Sequence, residues 1–295
     1  MTTVDTGPPA EAPTEAPRRP GRRSRGQGWI YLALGLGLVV VAGPFVWMLL
    51  GSVKTEGELR RLPPTWLPAH VTLDNYRQLF SRLDFPRYFV NSALVAVAVT
   101  VANLAVCAML GYALAKLEFA GKRLLFALVL GMLMVPYVVL LVPQFVLVSN
   151  LHLVNTYAGL ILPALAVAMP FGVFLMRQYI SGLPDDLIDA ARVDGAGEFR
   201  VFASVIAPLT GPALATLGIL TFLGSWNNFL WPLVVAQTED KYTLPVALAL
   251  YSVGQNRTQY GLLLAGSAVV VLPVLAVFIA LQRYFVQGIA MTGLK

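Results

Sequence analysis

The sequence holds 295 residues, 57% of them hydrophobic and 12% charged, with a mean hydropathy of +0.71, whereas an average soluble domain carries roughly 25% charged residues. That inventory excludes a water-soluble surface, and the apolar residues fall in long runs, so lipid is the solvent for most of the chain. The formal charge of +6 gathers beside apolar runs rather than along a polar face, which argues against a nucleic-acid partner and makes the basic residues topology signals.

Residues 1–28, rich in Pro, Arg, Gly, Thr and Glu, are too polar to pack a core and are expected to form a disordered basic tail. The first apolar run, Ile30–Leu50, follows Arg18, Arg19, Arg22, Arg23 and Arg25. Its length, the lack of a small-x-small cleavage site and the runs that follow mark it as a retained helix rather than a signal peptide. A polar stretch from Gly51 to Tyr88 is long enough for a small element outside the membrane. Further runs of the roughly 20 residues a span needs occur at Phe89–Ala115, Leu124–Val148, Ala158–Met176, Gly211–Ala236 and Gly261–Leu281. The expected fold is all-α and polytopic, with about six transmembrane helices.

Basic residues in the tail, at Lys116, Lys122 and Arg123, at Arg177, Arg192 and Arg200, and at Arg283 and Lys295 outweigh those in the alternate loops. The positive-inside rule therefore places both termini in the cytoplasm. Pro44, Pro136, Pro143, Pro163, Pro170, Pro232 and Pro273 lie inside the runs, where each removes a backbone donor and bends its helix. Bent helices around a cavity are expected rather than a straight anchor. Cys107 is the only cysteine, and His70 and His152 are far apart. No disulfide, thiolate cluster, metal site or triad is expected from them.

One polar stretch, SGLPDDLIDAARVDGAGEFRVFASVIAPLTGP at Ser181–Pro212, interrupts the apolar pattern. Pro184, Asp185 and Asp186 start a short helix, since proline suits the first turn and carboxylates favour the positive end of the dipole. That helix runs to about Val193, Gly195 supplies a turn, and a second helix from Glu198 ends before Pro208. Leu187, Ile188 and Ala191, then Phe199, Phe202, Val205 and Ile206, recur at helical spacing, so each helix carries an apolar stripe that needs a partner.

Within this stretch, Asp189-Ala190-Ala191, three residues, Gly195, nine residues, then Val205 and Pro208 resemble the EAA loop of ABC importer permeases. Asp189 stands for the family's Glu, Val205 for its Ile and Ala207 for its Leu. PRYFVNSALVA at Pro86–Ala96, SWNNFLWPLVV at Ser225–Val235 and QRYFVQGIAMTGLK at Gln282–Lys295 resemble the sugar branch, the maltose-permease-like subunits.

The resemblance implies a type I ABC importer permease domain over 29–295, with 181–212 as its cytoplasmic coupling loop, in the bacterial cell membrane. It implies as partners a second homologous permease, separate ATPase subunits and an extracytoplasmic solute-binding protein that delivers a sugar or oligosaccharide. No GxxxxGK[ST] phosphate loop occurs in the sequence, so ATP and magnesium are expected on the ATPases, with no cofactor on this chain and no catalysis by it. The coupling role falls on Asp189, Ala190, Ala191, Asp194, Gly195, Ala196, Phe202 and Pro208.

For the sugar path, amides read hydroxyl patterns and indoles stack on sugar rings. This points to Trp226, Asn227, Asn228 and Trp231, with Asn91, Ser92, Asn103 and Gln144 as further polar groups inside spans. An ion-coupled secondary transporter is the rival reading, but the six runs contain no Asp, Glu, Lys or Arg for it to use. The same permease role for glycerol-3-phosphate-like solutes is a second alternative.

Overall fold

The computed structural model describes residues 27–82, 84–252 and 258–292. Nearly all of the predicted tail, residues 1–26, lies outside them; its last two residues already belong to a helix. In chain order the described helices are α1 (Gln27–Ser52), α2 (Glu56–Leu59), α3 (Asp74–Arg82), α4 (Phe85–Lys116), α5 (Lys122–Leu133), α6 (Tyr137–Asn150) and α7 (Tyr157–Ser181), followed by α8 (Asp186–Val193), α9 (Glu198–Val201) and α10 (Ala207–Leu209), then α11 (Gly211–Trp226), α12 (Leu230–Val235), α13 (Leu244–Ser252) and α14 (Tyr260–Thr292). Among the described residues four helices are long and apolar enough to cross a membrane, or up to six if each bent pair counts as one span.

The chain divides after Val46 into two units. The first consists, where described, of the greater part of α1, whose large apolar side chains from Trp29 to Val46 are exposed. The second holds the bundle.

Between α1 and α4 the polar stretch folds into a small element, with α2 and α3, that carries a polar core. Glu58 is buried and accepts hydrogen bonds from Ala69 N and Thr65 Oγ1, both at 2.9 Å. The Ala69 amide, ahead of Thr65, Lys54 and Arg61, holds its carboxyl below the usual range. Lys54, also buried, donates to Thr65 O and lies 5.0 Å from the Trp47 ring centroid.

The bundle is built on α4 and α7, its most extensive helix pair, with α11 against α4 and α14 against α11. Small residues allow the first contact. A Cβ on Gly111 would stand 2.6 Å from Met176 Cβ, and one on Gly172 would stand 2.5 Å from Cys107 Sγ. Glycine at both positions lets the two backbones meet.

Two predicted spans are broken. The run Leu124–Val148 is not one helix: α5 and α6 meet at 106° across Met134–Pro136. Pro136 cannot donate to the preceding turn and biases Val135 away from helical torsions. The run Gly211–Ala236 is also interrupted, since α11 stops at Trp226 and Asn227–Phe229 separate it from α12.

One proline inside a helix has found a partner for its disturbed backbone. Pro163 leaves Gly159 O without its helical donor, and Trp231 Nε1 donates to that oxygen at 3.0 Å. In a medium without water an unpaired carbonyl is expensive, so a fully buried indole N–H from the next helix restores what proline removed.

Candidate functional site

The loop between α7 and α11 has the predicted helix–turn–helix shape. Gly195 adopts φ +80°, Gly195 N donates to Arg192 O at 2.9 Å and Ala196 N to Ala191 O at 3.0 Å. Together these form the two-bond cap that ends a helix on a left-handed residue, and glycine carries no Cβ penalty there. The second helix does not end before Pro208. It continues through a π-helical stretch, Phe202–Ile206, whose closing bond runs from Ala207 N to Phe202 O. The helix then reaches Leu209 before turning by 77° into α11. Widening the turn just ahead of proline shifts the donor register, so the ring does not collide with the ladder.

The apolar stripes divide between two faces. Ile188, Val201 and Ile206 are buried against Leu114, Met176 and Ile180 of the bundle. Leu187, Val193 and Phe199 point away, with Val193 88% and Phe199 78% exposed. On that outer side Asp189, Ala190, Asp194, Gly195 and Pro208 are exposed, while Ala191, Ala196 and Phe202 are half-buried.

The end of α4 grips both loop helices. Tyr112 Oη donates to Glu198 Oε2 at 2.6 Å, and its ring lies 5.7 Å from that of Phe202. Glu198 Oε1 pairs with Arg192 Nη2 at 2.9 Å, and Arg192 Nη1 stands 3.5 Å from Asp189 Oδ1. The Tyr112 hydroxyl first, and Arg192 with it, hold the Glu198 carboxyl below its ordinary value. Lys116 Nζ donates to Leu183 O at 2.6 Å and pairs with Asp185 Oδ1 at 2.5 Å, fixing the entry to α8. Asp185 therefore acts mainly through Lys116, since its side chain makes no cap bond.

The polar positions proposed for a sugar path separate into two groups. Gln144, Asn227, Asn228 and Trp231 line a cavity of about 530 Å³ bounded by α6, α7 and the break after α11. Trp226 and Asn91 do not line it. Trp226 is buried against Phe89 and Phe222 with its N–H on Val270 O. Asn91 donates to Asp240 O and Tyr242 O and accepts from Tyr157 Oη at 2.7 Å, so its amide pins the segment before α13. Ser92 accepts from Leu244 N, and Asn103 donates to Thr221 Oγ1.

Sequence reasoning passed over Tyr137, which shares the cavity wall with Gln144. The signal was available: seven residues separate the two polar side chains in an otherwise apolar run, which puts them on one helix face. Tyr137 Oη, beside the Asn228 amide, and Gln144 Oε1 are both buried, and Gln144 Oε1 has no hydrogen-bond partner among the described residues. Among the described residues no Asp, Glu, Lys, Arg or His lines this cavity.

Residues 107–291 match the family described as binding-protein-dependent transport system inner membrane component. The chain is 41% identical over 274 residues to the arabinooligosaccharides transport system permease protein of Halalkalibacterium halodurans, covering 90% of this chain and 96% of that one. It is 37% identical to the diacetylchitobiose uptake system permease protein of Streptomyces coelicolor, over 83% of this chain and 81% of that one. It is 33% identical to the lactose transport system permease protein of Rhizobium radiobacter, over 88% and 93%. In fold it is similar to a chain of a bacterial ABC transporter involved in import of the acidic polysaccharide alginate, with a TM-score of 0.78 at 22% identity, covering 90% of this chain and all of that one. With these matches over most of its length, the chain belongs to the family of binding-protein-dependent transport system inner membrane components, the permease subunits of ABC importers.

Proposed function

We propose that this chain forms, with a second homologous permease, the translocation path for a carbohydrate delivered by an extracytoplasmic binding protein. ATP and its magnesium are bound and hydrolysed by separate subunits docked on the Ser181–Pro212 loop, which faces the cytoplasm together with both termini. The carbohydrate assignment draws on relatives named for arabinooligosaccharide, diacetylchitobiose and lactose transport.

The observation that carries the coupling role is the division of the loop into a bound face and a presented face. Ile188, Val201 and Ile206 anchor it to the bundle, while Val193 and Phe199 stand exposed beside Asp189 and Gly195. Apolar side chains with acidic acceptors between them suit a cleft on another protein. Closure of the ATPases then moves the loop, and Tyr112 and Lys116 carry that movement to α4, biasing the bundle between two access states.

The test is co-purification from the native host in mild detergent, with ATP hydrolysis measured on the product. Wild type should recover a phosphate-loop ATPase and a second permease. Val193→Asp and Phe199→Asp should release the ATPase while leaving the melting temperature of the permease pair unchanged. Gly195→Asn, which tolerates the left-handed turn, should retain it. A wild-type chain that purifies without any ATPase refutes the reading.

A further inference from the structure

We infer that Tyr137, Gln144 and Asn228 form a subsite for an uncharged glycan, and that the permease conducts neutral oligosaccharides while rejecting acidic ones. The inference rests on the importer reading above and deepens it.

Three observations carry it. The first is chemical poverty of one kind: a cavity of about 530 Å³, within the size range of ligand sites, is lined among the described residues without a single formal charge. An anionic sugar entering it would exchange hydration for a wall that offers no cation, and that exchange is costly in a low-dielectric site. The second is the state of two polar atoms. Buried polar atoms are almost always paired, yet among the described residues Gln144 Oε1 has no partner and the Tyr137 hydroxyl has only the Asn228 amide beside it.

The third is the geometry that holds them ready. Gln144 Nε2 donates to Pro163 O at 3.2 Å, which fixes the amide plane and leaves Oε1 as the free end. Asn228 is held at the same wall: its Oδ1 accepts from Trp231 N at 3.4 Å, and its amide faces the Tyr137 hydroxyl. The wall thus offers an amide acceptor on Gln144, the remaining amide N–H of Asn228 and the Tyr137 O–H, a set that matches the paired donor and acceptor character of sugar hydroxyls. Trp231 is 1% exposed with its N–H on Gly159 O, so it closes the wall rather than stacking on a ring.

The break between α5 and α6 is what brings Tyr137 here. A straight third span would carry the polypeptide past the cavity; the 106° bend places the start of α6 against it. Leu140 lies on the same helix and lines only the adjoining apolar groove, which shares Tyr137, Gln144 and Val167 with the cavity, so it serves as an apolar control beside the polar pair.

The experiment compares the native host with strains lacking this chain or carrying variants of it. The probes are neutral oligosaccharides from arabinan, galactan and starch digests, and acidic ones from a polygalacturonate digest. Disappearance from the medium is followed by mass spectrometry. Deletion should abolish uptake of one or more neutral sugars and leave the uronides untouched. Tyr137→Phe combined with Gln144→Ala should slow uptake of those neutral sugars about tenfold or more, the effect of losing one or two hydrogen bonds to a neutral ligand. Leu140→Ala should transport as wild type, and each variant should still co-purify its ATPase. Uronide uptake that depends on this chain overturns the neutral-glycan inference and leaves the importer reading intact. Wild-type uptake by the double variant overturns the subsite. A deletion that changes no saccharide at all refutes the importer reading itself.

Discussion

Removing one oxygen tests whether α4 and the loop move as a unit. Tyr112→Phe keeps the ring on Phe202 and deletes only the 2.6 Å hydrogen bond to Glu198. A hydrogen bond to a charged group contributes about 1.5–3 kcal/mol. The Glu198 side chain is 47% exposed and keeps Arg192, so solvent and the remaining pair replace much of that, leaving about 1 kcal/mol. The cost falls on the loop, not on the α4–α7 core, and it should appear as local opening. Hydrogen exchange read by mass spectrometry on the purified permease complex should show amides of residues 186–201 exchanging about fivefold faster, the equivalent of 1 kcal/mol, with α4 and α7 unchanged. Unaltered exchange over 186–201, or equal acceleration throughout the bundle, would refute the brace.

The same bond has a pH signature. Because the Glu198 carboxyl is held below its ordinary value of 4.5, its contribution is complete above that pH and is lost as pH falls through the lowered value, so loop protection should be flat from pH 7 to 5 and drop below it in wild type but not in Glu198→Gln. Trp231→Phe removes the donor to Gly159 O and should lower the melting temperature of the complex; Pro163→Ala, which restores the helical donor, should shrink that loss, and simple additivity in the double variant would refute the plug. Gly172→Ala puts a Cβ 2.5 Å from Cys107 Sγ and should destabilise by about 1–3 kcal/mol through overpacking, with Cys107→Ala relieving most of it in a thermal melt of the double variant. Asp189→Glu should preserve ATPase co-purification, since the longer carboxylate keeps its charge on the exposed face; loss of the partner would show that the shorter side chain is required.

The loop was legible because its signals are local. Pro184, the two aspartates after it and Gly195 each act within one turn, and the structure places α8 and its cap where those residues require. The broken spans were not legible from hydropathy, since lipid-compatible side chains continue across Met134–Pro136 and Asn227–Phe229 and only the backbone changes course. The hydrogen bonds of the tryptophans were not legible for a different reason. Trp226 and Trp231 find their acceptors 44 and 72 residues away, on helices whose neighbourhood no spacing in the sequence announces. The same holds for Asn91, whose amide serves carbonyls 149 and 151 residues distant. Polar residues inside apolar runs stand out in the sequence, but which of them face a cavity and which seal a joint is decided by tertiary packing.

The uncharged cavity and spans also have an electrical consequence. Moving one elementary charge through a membrane potential of 100 mV involves about 2.3 kcal/mol, and the six apolar runs of this chain carry no formal charge to move. Rearrangement of these helices therefore does almost no electrical work, and the potential has no lever on it. A cell whose membrane is depolarised loses its ion-driven carriers, while helices of this composition feel no change in force.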